Sequence, residues 1–178
     1  MLACLYLPLA EVLQRAMLVL VEHLPRLHLQ PQEQQAVTVL RAAEGWGQRL
    51  GLGVVTILLA PVTEEVLFRG ILYPWVKQAG FPRLALWGTA VLFAAIHANL
   101  VIFLPLFVLA LALALLYEAT DNLLAPIAAH SLCNGLNFVK LYLTDVRVFV
   151  FLMTGLVVLL SAALRVLVFS LRRDELNR

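Results

Sequence analysis

The chain has 178 residues, 62% of them hydrophobic and 13% charged, with a mean hydropathy of +0.92. Soluble domains run at about 45–50% apolar and about 25% charged, so an integral membrane protein with one compact helical unit is expected. A net charge of +2 without a Lys/Arg cluster excludes nucleic acid as an expected partner, and two cysteines in apolar stretches, Cys4 and Cys133, exclude a disulfide framework.

In chain order, the first region is 1–50. Its apolar start, about Leu2 to Val21, lacks the basic opening of a cleavable signal and carries Glu11 and Arg15 at a helical pairing distance. It either spans the bilayer or lies in its interface. The stretch from His23 to Gly51, which holds His23 and His28, is the most polar; it predicts a loop and then an amphipathic surface helix, with Trp46 as interfacial anchor. The core, 51–143, contains apolar segments at about Leu52–Val76, Leu84–His97, Val101–Tyr117 and Leu123–Leu143. The region 144–178 adds a fifth at about Val148–Leu171 and a polar tail. Gly80-Phe81-Pro82, His97-Ala98-Asn99 with Pro105, Asp121-Asn122 and Thr144-Asp145 mark the turns. Segments of this length without two-residue alternation must be helices to satisfy their backbone in lipid. The expected fold is therefore an all-α, polytopic bundle with five or six transmembrane segments. Arg41, Arg49, Lys140 and Arg147 fall at one end of such a bundle, and Lys77, Arg83, Arg172 and Arg173 at the other, so charge bias does not select an orientation.

Three polar intrusions interrupt the apolar core. In PVTEEVLFRG (61–70), Glu64, Glu65 and Arg69 would each oppose insertion by roughly 2.5–3.5 kcal/mol if unpaired. Glu65 and Arg69 are spaced to pair on one helical face, acid first, which leaves Glu64 about 100° around the helix without a local partner. Pro61 upstream removes a backbone donor and is expected to kink the helix and expose carbonyls. FAAIH (93–97) puts Phe93 and His97 on one face, and HSLCN (130–134) does the same for His130 and Asn134. The bland reading of Glu64, Glu65 and Arg69 is a packing device.

A carboxylate in a low-dielectric pocket suits the work of a general base, and a neighbouring histidine can share and orient its water. A histidine and an asparagine four residues apart aim two donors at one point, as a developing oxyanion requires. Glu64, His97, His130 and Asn134 together read as water-activated acyl hydrolysis. Zinc held by Glu64, Glu65, His97 and His130 is the alternative cofactor reading, without the support of an H-E-x-x-H helix. A Cys133–His130 nucleophile pair has both groups on one helix, and Ser131 points away from His130. A proton relay or small transporter would use the same intramembrane acids and histidines, but no inverted repeat is visible.

Together the three stretches resemble the CAAX prenyl protease and bacteriocin-processing family of intramembrane proteases, relatives of the Ras-converting enzyme. That family is marked by E-E-x-x-x-R, F-x-x-x-H and H-x-x-x-N or H-x-x-x-D, in that order. Here these stand as Glu64-Glu65-x-x-x-Arg69, Phe93-x-x-x-His97 and His130-x-x-x-Asn134, and the likeness covers about Gly53 to Asn137. The resemblance implies a glutamate-type peptide hydrolase that needs no metal cofactor. Glu64 would activate water with help from His97, His130 and Asn134 would stabilise the oxyanion, and Glu65, Arg69 and Phe93 would support the site. It further implies a multi-pass protein of a prokaryotic cytoplasmic membrane, with the lipid bilayer and a protein or peptide substrate as partners. A non-proteolytic immunity or scaffold protein that keeps the motifs for structure is the rival from another class.

Overall fold

The computed structural model describes residues 2–23 and 33–142; the apolar segment at about 148–171, the Thr144-Asp145 turn and His28 lie outside them. The described residues form helices and turns, with no strand among them. The helices are α1 (Leu2–Glu22), α2 (Gln35–Arg41), α3 (Gly45–Gln78), α4 (Pro82–Ala95), α5 (Leu100–Thr120) and α6 (Leu124–Tyr142). Among the described residues, α3 with 34 residues and α5 with 21 are long and apolar enough to cross a bilayer, and α4 is a shorter apolar helix.

The amphipathic helix expected up to Gly51 is shorter than that. It is confined to α2, and the chain turns at Gly45, whose φ of 76° favours a residue without Cβ. From there α3 continues unbroken, so Trp46, 77% exposed, sits on the first turn of the long helix.

Pro61 does not end α3. The helix widens ahead of it into a π-helical stretch, Val55–Leu59, and widens again over Val66–Leu72 ahead of Pro74. Each stretch stops two residues short of a proline. A proline ring clashes with the carbonyl four residues back and offers no N–H; one wider turn relieves the clash without breaking the rod.

The α4–α5 boundary falls at Ile96–Asn99. Ala98 adopts a left-handed φ of 48°, and the Asn99 side chain caps α5 by accepting from the Val101 and Ile102 N–H groups. Pro105 lies inside α5 and takes no part in this boundary. Asp121, also at φ 48°, closes α5, and Asn122 Oδ1 accepts from the Leu124 N–H to start α6.

α5 is the hub. Its Leu109 and Leu113 pack with Tyr6 of α1 and with Cys133 and Leu136 of α6. Ala110 packs with Phe68, Ala90 and Phe93, and Ala114 with Tyr73 and Ala85, so the same helix carries α3 and α4. The Lys77–Glu118 ion pair, 2.6 Å, joins the C-terminal ends of α3 and α5, which therefore run parallel with α4 returning between them. α6 crosses α3 in the opposite sense, closely enough that a Cβ on Gly53 would lie 3.1 Å from Phe138 and one on Gly135 3.6 Å from Ile57. Leu58, Leu59, Val62, Leu67 and Ile71 of α3 are exposed, the apolar outer face that a lipid-embedded helix presents.

Candidate active site

Three helices bring the polar intrusions together. On α3, adjacent Glu64 and Glu65 point about 100° apart, and their environments differ accordingly. The Glu65 side chain is completely buried, whereas that of Glu64 is 27% exposed. Glu65 Oε1 accepts from Arg69 Nη1 at 2.7 Å, the ion pair that the four-residue spacing implies. Arg69, itself buried, directs Nη2 to the Ala110 carbonyl of α5 at 2.8 Å and lays its guanidinium 5.1 Å from the centre of the Phe93 ring. The cation is thereby fixed by three helices at once.

Glu65 has a second partner that sequence spacing does not reveal, because it lies 65 residues away: the Nδ1 of His130 approaches the same Oε1 at 2.8 Å. A carboxylate accepts, so His130 donates from Nδ1. Its opposite nitrogen, Nε2, then faces Glu64 Oε2 at 3.8 Å. The acid without a local partner thus meets a histidine from α6. Glu65 Oε2 is buried with no donor, and no other buried side-chain nitrogen or oxygen among the described residues lacks a partner.

His97 follows the last turn of α4. Its Nδ1 lies 2.8 Å from the Phe93 carbonyl, which can only accept, so Nδ1 carries a hydrogen, and in the neutral ring Nε2 has the lone pair. His97 is within electrostatic range of Glu64. Phe93 is fully buried and forms the common wall: its ring centre lies 5.2 Å from His97, 5.8 Å from His130 and 5.1 Å from Phe68. It is the packed element against which both imidazoles and the guanidinium rest.

Asn134 lies one turn beyond His130 on α6 and is half-buried. Its Nδ2 donates to the Thr56 carbonyl of α3 at 2.9 Å. One amide hydrogen is thus engaged and one remains. The residues that the sequence singles out are therefore gathered on α3, α4 and α6, while α5 contributes only the Ala110 carbonyl. Thr56 and Ala110 enter through backbone carbonyls, for which side-chain chemistry gives no signal. Cys133, fully buried and packed against Tyr6, Leu109 and Leu113, belongs to the core. Among the described residues no three His, Cys, Asp or Glu side chains are grouped to hold a metal ion.

Comparison with known proteins addresses this same region. The pattern of the type II CAAX prenyl endopeptidase Rce1-like family matches residues 46–136, from the first turn of α3 through most of α6. An uncharacterized protein of Bacillus subtilis (strain 168), YpbD, is 30% identical over 97 residues, which cover 52% of this chain and 47% of that protein. The chain thus spans about half the length of the curated relative it matches. No solved structure matches it.

Proposed function

Since the chain belongs to the type II CAAX prenyl endopeptidase Rce1-like family, we propose that it is an intramembrane endopeptidase that cleaves a membrane-associated protein or peptide with a glutamate-activated water. The observation that carries this reading is the approach of His130 Nε2 to Glu64 Oε2, 3.8 Å apart, beside the buried Glu65–Arg69 pair. Glu64 is the acid with an open side, and Glu65 the one held by its neighbours. In the reaction Glu64 takes a proton from water while the Nε2 lone pair of His97 accepts the water's other hydrogen, and the hydroxide adds to the scissile carbonyl. The oxyanion that forms accepts from the second N–H of Asn134. It also accepts from His130 Nε2 when that ring is doubly protonated, because Nδ1 is committed to Glu65. Glu64 then returns its proton to the departing amine.

The finer reading is a multi-pass protein with five or six spans in a prokaryotic cytoplasmic membrane, acting on a protein or peptide substrate and needing no metal. Glu65, Arg69 and Phe93 support the site without touching the reacting atoms. The decisive experiment maps the N- and C-terminal peptides of membrane and secreted proteins in cells carrying the intact or the Glu64→Gln chain. Ends that appear only with intact Glu64 are expected. Identical ends in both would favour a scaffold role, and loss of cleavage on chelation would favour zinc.

A further inference from the structure

The π register of α3 strands one acceptor. The Ala60 N–H goes back to the Val55 carbonyl, five residues away, so in the same register residue 61 would donate to Thr56. Residue 61 is proline and has nothing to donate. The Thr56 hydroxyl is occupied elsewhere, donating to Leu52 O at 2.8 Å. In hydrocarbon no water replaces the missing helical donor, and an unmet carbonyl is costly. The acceptor is met from α6 by Asn134 Nδ2 at 2.9 Å. The close passage of Gly53 against Phe138 and of Gly135 against Ile57 brings the two helices near enough for this bond.

We infer that Pro61 is a positioning residue for Asn134: by withholding an N–H it leaves the Thr56 carbonyl to claim one amide hydrogen, which fixes the amide plane and aims the second hydrogen. The pairing stands on geometry alone; its catalytic consequence rests on the protease reading above. An asparagine on a helix face has free rotation about its side-chain bonds, and one anchored hydrogen removes most of it before substrate arrives. Replacing Pro61 by alanine restores an N–H that reaches Thr56 O, competes with Asn134 for it and loosens the amide.

The test is a four-member set in the full chain: the parent, Pro61→Ala, Asn134→Ala and the double variant, all in lipid nanodiscs. Asn134→Ala is expected to lower the melting temperature by roughly 2–4 °C when Pro61 is present. In the Pro61→Ala background the drop should be at most half as large, because the carbonyl has regained a donor. Pro61→Ser supplies the same N–H and should give the same rescue. Equal drops in both backgrounds overturn the pairing, as does a Pro61→Ala chain less stable than Asn134→Ala. On an internally quenched peptide copied from a terminus that appears only with intact Glu64, Pro61→Ala should lower kcat by about 10–100-fold and leave KM within about twofold. Unchanged kcat overturns the positioning role. A parent chain that yields no Glu64-dependent terminus in the mapping experiment would count against the protease reading, while the melting comparison still decides the pairing.

Discussion

The difference between two adjacent glutamates is a matter of what each side chain meets. Glu65 accepts from Arg69 and His130 with one oxygen and sits beyond the reach of solvent, whereas Glu64 keeps an open side. Glu64→Gln preserves the shape and removes the base, so cleavage should fall by about 10²–10⁴-fold, with the melting temperature little changed. Both can be read from the same purified sample. Arg69→Met acts in the opposite way. It leaves the buried Glu65 carboxylate with His130 alone and removes the tie from α3 to the Ala110 carbonyl of α5, at a cost of about 3–5 kcal/mol in unfolding. Adding Glu65→Gln to Arg69→Met should recover part of that loss in denaturant titration, which a merely steric defect would not do. The Glu65–Arg69 contact is legible in the sequence because helical spacing alone determines it. The His130–Glu65 contact is not, since no local rule reaches across 65 residues. What the sequence does offer there is the joint oddity of a histidine and a carboxylate, each in oil and each needing a partner.

At the scale of elements, helix type and approximate extent follow from apolar run length, and the prolines announce that something gives way in α3. What gives way is not announced: Pro61 invites a kink, and the chain answers with one widened turn, against which α6 sets Asn134. The boundary after α4 likewise depends on the Asn99 cap and the left-handed Ala98, whereas Pro105, the more conspicuous breaker, is absorbed inside α5. The α3–α6 crossing yields a graded expectation. A Cβ at residue 135 makes an ordinary 3.6 Å contact, so Gly135→Ala should be tolerated. A Cβ at residue 53 meets Phe138 at 3.1 Å, so Gly53→Val should push α6 away from Thr56 and lower thermal stability by about 1–3 kcal/mol. Comparable melting for the two variants would show that the helices have slack at this crossing.

For the whole molecule, the antiparallel course of α3, α4, α5 and α6 places Arg41 and Arg49 at one end of the bundle and Lys77 and Arg83 at the other. Lys140, near the end of α6, joins the first pair, whereas Arg147, Arg172 and Arg173 lie outside the described residues. Cysteines introduced at Gln48 and Gln78, in a chain lacking Cys4 and Cys133, should be labelled by an impermeant maleimide from opposite faces of the membrane. Labelling from the same face would mean that α3 enters and returns. An α3 of 34 residues measures about 51 Å, more than the roughly 30 Å of hydrocarbon, so both ends have length to reach the interfaces. The order in which these rods emerge has a consequence for biogenesis. Glu65 and Arg69 leave the ribosome well before His130, whose ring brings the second donor to that carboxylate. Until α6 arrives, the nascent bundle holds a Glu65–Arg69 ion pair whose carboxylate still lacks its His130 donor. An unfinished copy thus differs from a finished one by a single missing donor at a buried acid, a group that is costly to leave unmet in hydrocarbon.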